Sequence, residues 1–194
     1  ATDAMANGNG DRWVFDADRD RIVLSTTEGN RLYAGTQDID LEKGFTWSLW
    51  TKVAQSNLSD IGADVVIGTR RGTWHKLGNE SLSGWASISG YQLADDNWHH
   101  IAYVGDAANG VSLYIDGELI GTDKSPTSVT YDGPLEIGGS SQFTEDMTGL
   151  ISDLAIWDKR LSEERIWDLA NGGNVLGGPP TVWTPVEAVR AVSK

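Results

Sequence analysis

Along most of this chain apolar and polar residues alternate in short runs broken by glycine and asparagine, which is the period of strands and not of helices. The clearest run is FTWSLWTKV, residues 45–53, with Phe45, Trp47, Leu49, Thr51 and Val53 on one face and Thr46, Ser48, Trp50 and Lys52 on the other. Trp50 on an otherwise polar face predicts that this face too is partly covered. In NWHHIAYVGDAANGVSLYIDG, residues 97–117, two strands flank a polar turn. Trp98, His100, Ala102 and Val104 oppose His99, Ile101 and Tyr103, and neither face is purely polar, as expected of a central strand with both faces covered. Asp116-Gly117 supplies the positive φ of a two-residue hairpin turn before Glu118-Leu119-Ile120. The core is therefore predicted to be antiparallel sheet.

Shorter strands are predicted at 13–15, 22–24, 64–69, 84–89 and 134–139. A longer one spans TGLISDLAIWD, residues 148–158, with Leu150, Ser152, Leu154 and Ile156 facing one way and Ile151, Asp153, Ala155 and Trp157 the other. One segment, 161–172, carries helix signals: Ser162 as N-cap, acids in the first turn, Ile166, Leu169 and Ala170 on one stripe, and Asn-Gly as the stop. Residues 1–11 are a small, polar lead-in, 12–173 one domain, and 174–194, rich in Gly and Pro, an extension or linker.

Composition narrows the function classes. The 194 residues suffice for a single domain that buries roughly 70% of its unfolded surface without a metal or disulfide to close the core. Cysteine is absent, which excludes a disulfide scaffold, a thiolate zinc site and a cysteine nucleophile. A formal charge of -13 opposes nucleic acid and anionic membranes and favours a cation or a neutral ligand. No run approaches the roughly 18 apolar residues of a membrane-spanning helix. Nine tryptophans and 23 glycines suit a sandwich core or a binding face joined by tight turns.

Two acidic features are candidate chemistry. Asp16, Asp18 and Asp20 lie at alternate positions in one loop, either a solvated turn or part of a calcium ligand set; an EF-hand is excluded, because Arg21 and Thr27 stand where that loop needs Gly and Glu. Asp153 is a lone acid among apolar neighbours, and a buried carboxylate must meet a cation, an arginine such as Arg12, or backbone N–H groups. His99 and His100 are consecutive, so on a strand they face apart and are structural. No serine sits in a Gly-x-Ser-x-Gly elbow.

The serial order of WVFDADRDRIVL, FTWSLWTKV, NWHHIAYV, LYIDGELIG, PLEIGG and TGLISDLAIWDKRLSEERIWDLANGG, covering residues 12–173, resembles the laminin-G-like branch of the concanavalin A-like lectin and glucanase fold. The resemblance implies an all-β fold, a two-sheet antiparallel jelly-roll sandwich with one short C-terminal helix. It also implies a non-catalytic recognition module of a secreted or cell-surface protein. The expected partner is a glycan or surface glycoprotein, with a protein, a peptide or a spacer role in an adhesin as the alternative. The hydrolases of this fold carry Glu-x-Asp-x-x-Glu on one strand, and that spacing is missing here. The family commonly holds a calcium between the first strand region and the last long strand, which implies a structural calcium on Asp16, Asp18, Asp20 and Asp153. For the ligand, Arg70, Arg71, Trp74, His75, Asn79 and Trp85 combine aromatic faces, an amide and charges suited to a saccharide, although Trp74 also fits as a plug at the sandwich edge.

Overall fold

Alternation on both sides of β5 (Phe45–Lys52) sets the architecture, because this strand pairs antiparallel with β10 (Trp98–Asp106) on one side and β14 (Gly149–Trp157) on the other. The computed structural model describes residues 5–6, 12–27, 31–34, 43–54, 64–69, 74–77, 81–83, 88–89, 91, 93–124, 135–139 and 146–176. Among them are two seven-stranded sheets, with strands numbered in chain order. The first runs β1 (Met5–Ala6), β4 (Leu32–Ala34), β13 (Leu135–Ile137), β6 (Asp64–Thr69), β7 (Trp74–Leu77), β8 (Ser81–Ser83), β9 (Ile88–Ser89). The second runs β12 (Glu118–Asp123), β11 (Gly110–Ile115), β10, β5, β14, β3 (Arg21–Thr26), β2 (Trp13–Asp16). Every pairing is antiparallel. The expected jelly-roll sandwich with one short helix is what forms.

The sheets meet over one core. From the second sheet come Phe45, Trp47, Leu49, Ile101, Tyr103, Val111 and Leu113, and from the first Leu32, Val66, Ile67, Leu135 and Ile137. Each such side chain contributes about 1.5–3 kcal/mol when fully removed from water. Gly105 has to be glycine, since a Cβ there would meet the Phe45 ring at 2.6 Å. The Asp116-Gly117 turn has φ of 52° and 85°, as its hairpin requires.

On its outer face the second sheet buries Ala102, Val104 and Tyr114 against Ile166 and Leu161 of the helical segment. Helix α1 (Glu163–Ala170) starts where Ser162 Oγ accepts the Arg165 N–H at 3.3 Å. Its approach is pinned to β5 by Thr46 Oγ1, which donates to Lys159 O (2.8 Å) and accepts from Leu161 N (3.0 Å).

Three local expectations are corrected. Residues 148–158 do not alternate throughout: Ser152 pairs Trp50 and Ala155 pairs Ser48, so β14 carries an extra residue, a bulge in which Asp153 has φ 51°. Leu154 and Ile156 consequently join the core that Ile151 already lines. Trp74, outside any alternating pattern, opens β7, paired with Gly68 and Ser83. Met5–Ala6 of the lead-in pairs with β4, because a partner strand supplies the hydrogen bonds that two residues cannot supply alone. Of the strand expected at 84–89, Ile88–Ser89 forms and 84–87 lies outside the described residues.

Candidate functional site

Helix α1 covers only part of the outer face, and beyond its C-terminal end a cleft of about 310 Å3 is left open. Its floor is Ser48, Trp50 and His100; one wall is Arg19, Arg21 and Asp153, and the other is the turn 172–175 after the helix. That turn is tied back by Arg165, whose guanidinium donates to the Asp168 carboxylate and to Asn174 O.

The charged wall follows from the β2–β3 turn. Asp16 Oδ1 accepts the Arg19 N–H (2.9 Å) and the Trp98 Nε1–H (3.1 Å), which closes the turn and aims Arg19 inward. The Arg19 guanidinium lies 3.9 Å from the Trp50 ring centroid and donates to Asp153 Oδ2 at 2.6 Å. Arg21 Nη1 donates to both Asp153 oxygens at 2.7 Å. The bulge delivers this carboxylate: β14 pairs with β3 only through Ile151, and the next strand residues part around the two arginines. Burial acts to raise the Asp153 pKa, but the Ser152 hydroxyl and both guanidiniums outweigh it and hold the carboxyl below its ordinary range.

The floor is a buried polar pair. His100, 1% exposed, shares a 2.8 Å hydrogen bond between Nε2 and Ser48 Oγ and meets Trp50 edge-on at 5.4 Å. Desolvation pushes its pKa down to about 4, so the ring is neutral. Among the described residues its Nδ1 and the Nε of Arg19 have no hydrogen-bond partner. Each is buried at a cost of about 1–3 kcal/mol unless something hydrogen-bonds to it. His99, next in the chain, points elsewhere: Nδ1 meets Asp116 (2.7 Å) and Nε2 Asp95 (3.1 Å). The Asp116 hydrogen bond, with Asp95 in support, raises its pKa.

The structure separates the sequence-predicted site residues. Asp153 and the Asp16–Asp20 turn are brought together, but through arginine: Asp153 is held by Arg19 and Arg21, and Asp18 by Lys52 Nζ at 2.9 Å. Arg12 is elsewhere, donating to Arg31 O at 3.0 Å. Of the calcium set expected on Asp16, Asp18, Asp20 and Asp153, two carboxylates are thus paired with cationic side chains, and among the described residues no group of three His, Cys, Asp or Glu converges. Of the expected ligand residues, Trp74 and His75 lie in β7, and Arg70, Arg71, Asn79 and Trp85 lie outside the described residues. Arg19, Arg21, Ser48 and His100 were not expected in a binding site. Their signal is the strict alternation of Arg19 and Arg21 with Asp18 and Asp20, which gives the acidic loop its own counter-charges.

Comparison with known proteins adds three findings. The family described as the concanavalin A-like lectin/glucanases superfamily, laminin G type, matches residues 25–167. A rat protein, the Sushi, von Willebrand factor type A, EGF and pentraxin domain-containing protein 1, is 32% identical over 123 residues, covering 54% of this chain and 3% of that protein. Among solved structures, domain 4 of the extracellular arabinanase AbnA from Geobacillus stearothermophilus, in complex with arabinotriose, matches at TM-score 0.64 and 19% identity over 86% of this chain and 87% of that one. The botulinum neurotoxin serotype D ligand-binding domain with N-acetylneuraminic acid matches at TM-score 0.64 and 17% identity over 88% of this chain and 46% of that one. At such identities these structures establish the jelly-roll fold, and their ligands are theirs.

Proposed function

Because the chain belongs to the concanavalin A-like lectin/glucanases superfamily, we propose that it is a non-catalytic glycan-recognition domain of a secreted or cell-surface protein, with the cleft beside α1 as its site. The observation that carries this reading is the cleft's chemistry. Arg19 Nε and His100 Nδ1 are both buried and unpartnered, and both belong to residues lining one cleft. Arg21 adds a half-exposed guanidinium beside them. The Arg21 guanidinium is the donor a ligand in the cleft can reach, and sugar hydroxyls are oxygen acceptors for it. A neutral saccharide also avoids the repulsion that a net charge of -13 imposes on an acidic polymer.

Catalysis is not part of the reading. Ser48 and His100 are each 1% exposed, so a substrate carbonyl has no approach to Ser48 Oγ, and no carboxylate orients His100 Nδ1. A second reading, protein recognition, draws on the exposed apolar residues Trp13, Phe15 and Ile22 on the β2–β3 hairpin. A glycan array separates the two. Saturable binding of a saccharide, weakened by Arg21→Ala, is the expected outcome; no saccharide bound, with a single protein ligand returned from candidate partner surfaces, would overturn it.

A further inference from the structure

A second cleft, also of about 310 Å3, lies against the first. It opens at the mouth between the two sheets, lined by Trp13, Ile22, Leu24, Ile137 and Leu154, with Arg21 and Asp153 on its charged side. Those two residues also line the cleft beside α1, so the Arg21–Asp153 ion pair is the ridge between them. The ridge exists because β14 leaves β3 after Ile151 and bulges at Asp153, a break in the sheet that a regular strand would have closed.

The two clefts differ in what they lack. The polar one contains Trp50, but Arg19 already lies over one face of that ring, where it competes with the C–H face of a sugar. The apolar one has an aromatic face in Trp13, 60% exposed at the sheet edge. Trp13 pairs with Leu24 and Phe15 with Ile22, so β2 and β3 extend the inner apolar surface past the core as an uncovered shelf. A purely apolar occupant would desolvate the Arg21–Asp153 pair without replacing its water, and a purely ionic one would gain nothing from Trp13. A saccharide has both an apolar ring face and a polar rim, and it meets both walls.

Resting on the glycan reading above, we propose that the two clefts are halves of one groove for an oligosaccharide. One sugar hydrogen-bonds in the polar half, the chain crosses the Arg21–Asp153 ridge, and a second sugar stacks on Trp13. Recognition is thereby by length: a monosaccharide fills only one half.

The test is calorimetric titration of two series, arabinose with arabinotriose and glucose with cellotriose, against the wild type and Trp13→Ala. In at least one series the trisaccharide should bind at least about tenfold more tightly than its monosaccharide, and Trp13→Ala should bring the trisaccharide's affinity down to that of the monosaccharide. Phe15→Ala, equally exposed on β2 but outside both clefts, should change neither, and all three proteins should share one Tm. Trisaccharide binding that survives Trp13→Ala, or a monosaccharide bound as tightly as its trisaccharide, overturns the divided groove and leaves the glycan reading standing. No binding in either series, together with capture of a peptide on the Trp13 shelf, overturns both.

Discussion

The outer face of the second sheet is two regions built on the same strands. Under α1, β10 and β11 present Ala102, Val104 and Tyr114, which Ile166 closes over. Further along, beyond the helix end, β5 and β10 present Ser48, Trp50 and His100, which line the open cleft instead of packing under the helix. The first region is packed and its Tyr114 hydroxyl donates to Glu163 Oε1 at 3.3 Å; the second keeps, among the described residues, an unpartnered nitrogen on a buried ring. The difference teaches that the helix sets the site by where it stops. The same alternating strand is core on one side of that boundary and cleft on the other.

The sharpest way to break the closed region is Ile166→Ala. Ile166 is fully buried, so the cavity should cost about 2–5 kcal/mol in urea denaturation, and a loss under about 1 kcal/mol would mean that the patch does not hold the helix. The open region should show itself in pH dependence. His100 is neutral when folded, with a pKa of about 4 against 6.5 for an ordinary histidine, so its contribution is intact above 6.5 and lost as pH falls towards 4. The full loss is about 3 kcal/mol for that difference, and His100→Gln should flatten the profile across this window. The carboxylates with lowered pKa, Asp95, Asp106 and Asp153, lose their contributions only below their ordinary 3.8, so they leave the window clear.

Asp153→Asn removes the ridge. Its partners are partly exposed, so the expected cost is about 1–2 kcal/mol, reduced by salt and identical in calcium and in chelator. A loss seen only in calcium would restore a metal to this carboxylate. The smallest effect belongs to His99, between Asp95 and Asp116. Its raised pKa means that its contribution is whole below 6.5 and lost as pH rises through the folded value. His99→Gln should remove less than about 1 kcal/mol, and only on the acid side, below the folded value.

Much of this is legible in the chain. Strict alternation from Phe45 to Val53 identifies both rows of β5, and Trp50 on the polar row announces a covered outer face. Ser162, Glu163 and Glu164 mark the helix start to the residue. The bulge is not legible, because Ile151, Leu154, Ala155 and Ile156 are apolar in either register and one extra residue leaves no mark in the pattern. Strands as short as Leu32–Ala34 and Ser81–Ser83 cannot alternate long enough to be seen. The need of Asp153 for a partner is legible from its apolar neighbours. Which partner is not, since that depends on the bulge turning Asp153 towards Arg19 and Arg21. The cleft itself depends on where α1 ends over the sheet, a tertiary fact that no local pattern carries.

The most direct measurement is an amide chemical-shift titration of the wild-type protein with a saccharide selected on the array. Saturable shifts centred on Ser48, Trp50, His100 and Asp153, with the Ile166 and Tyr114 amides still, are the expected result. Saturable shifts that leave those four residues unmoved and gather on the first sheet would contradict a site opened by the end of the helix.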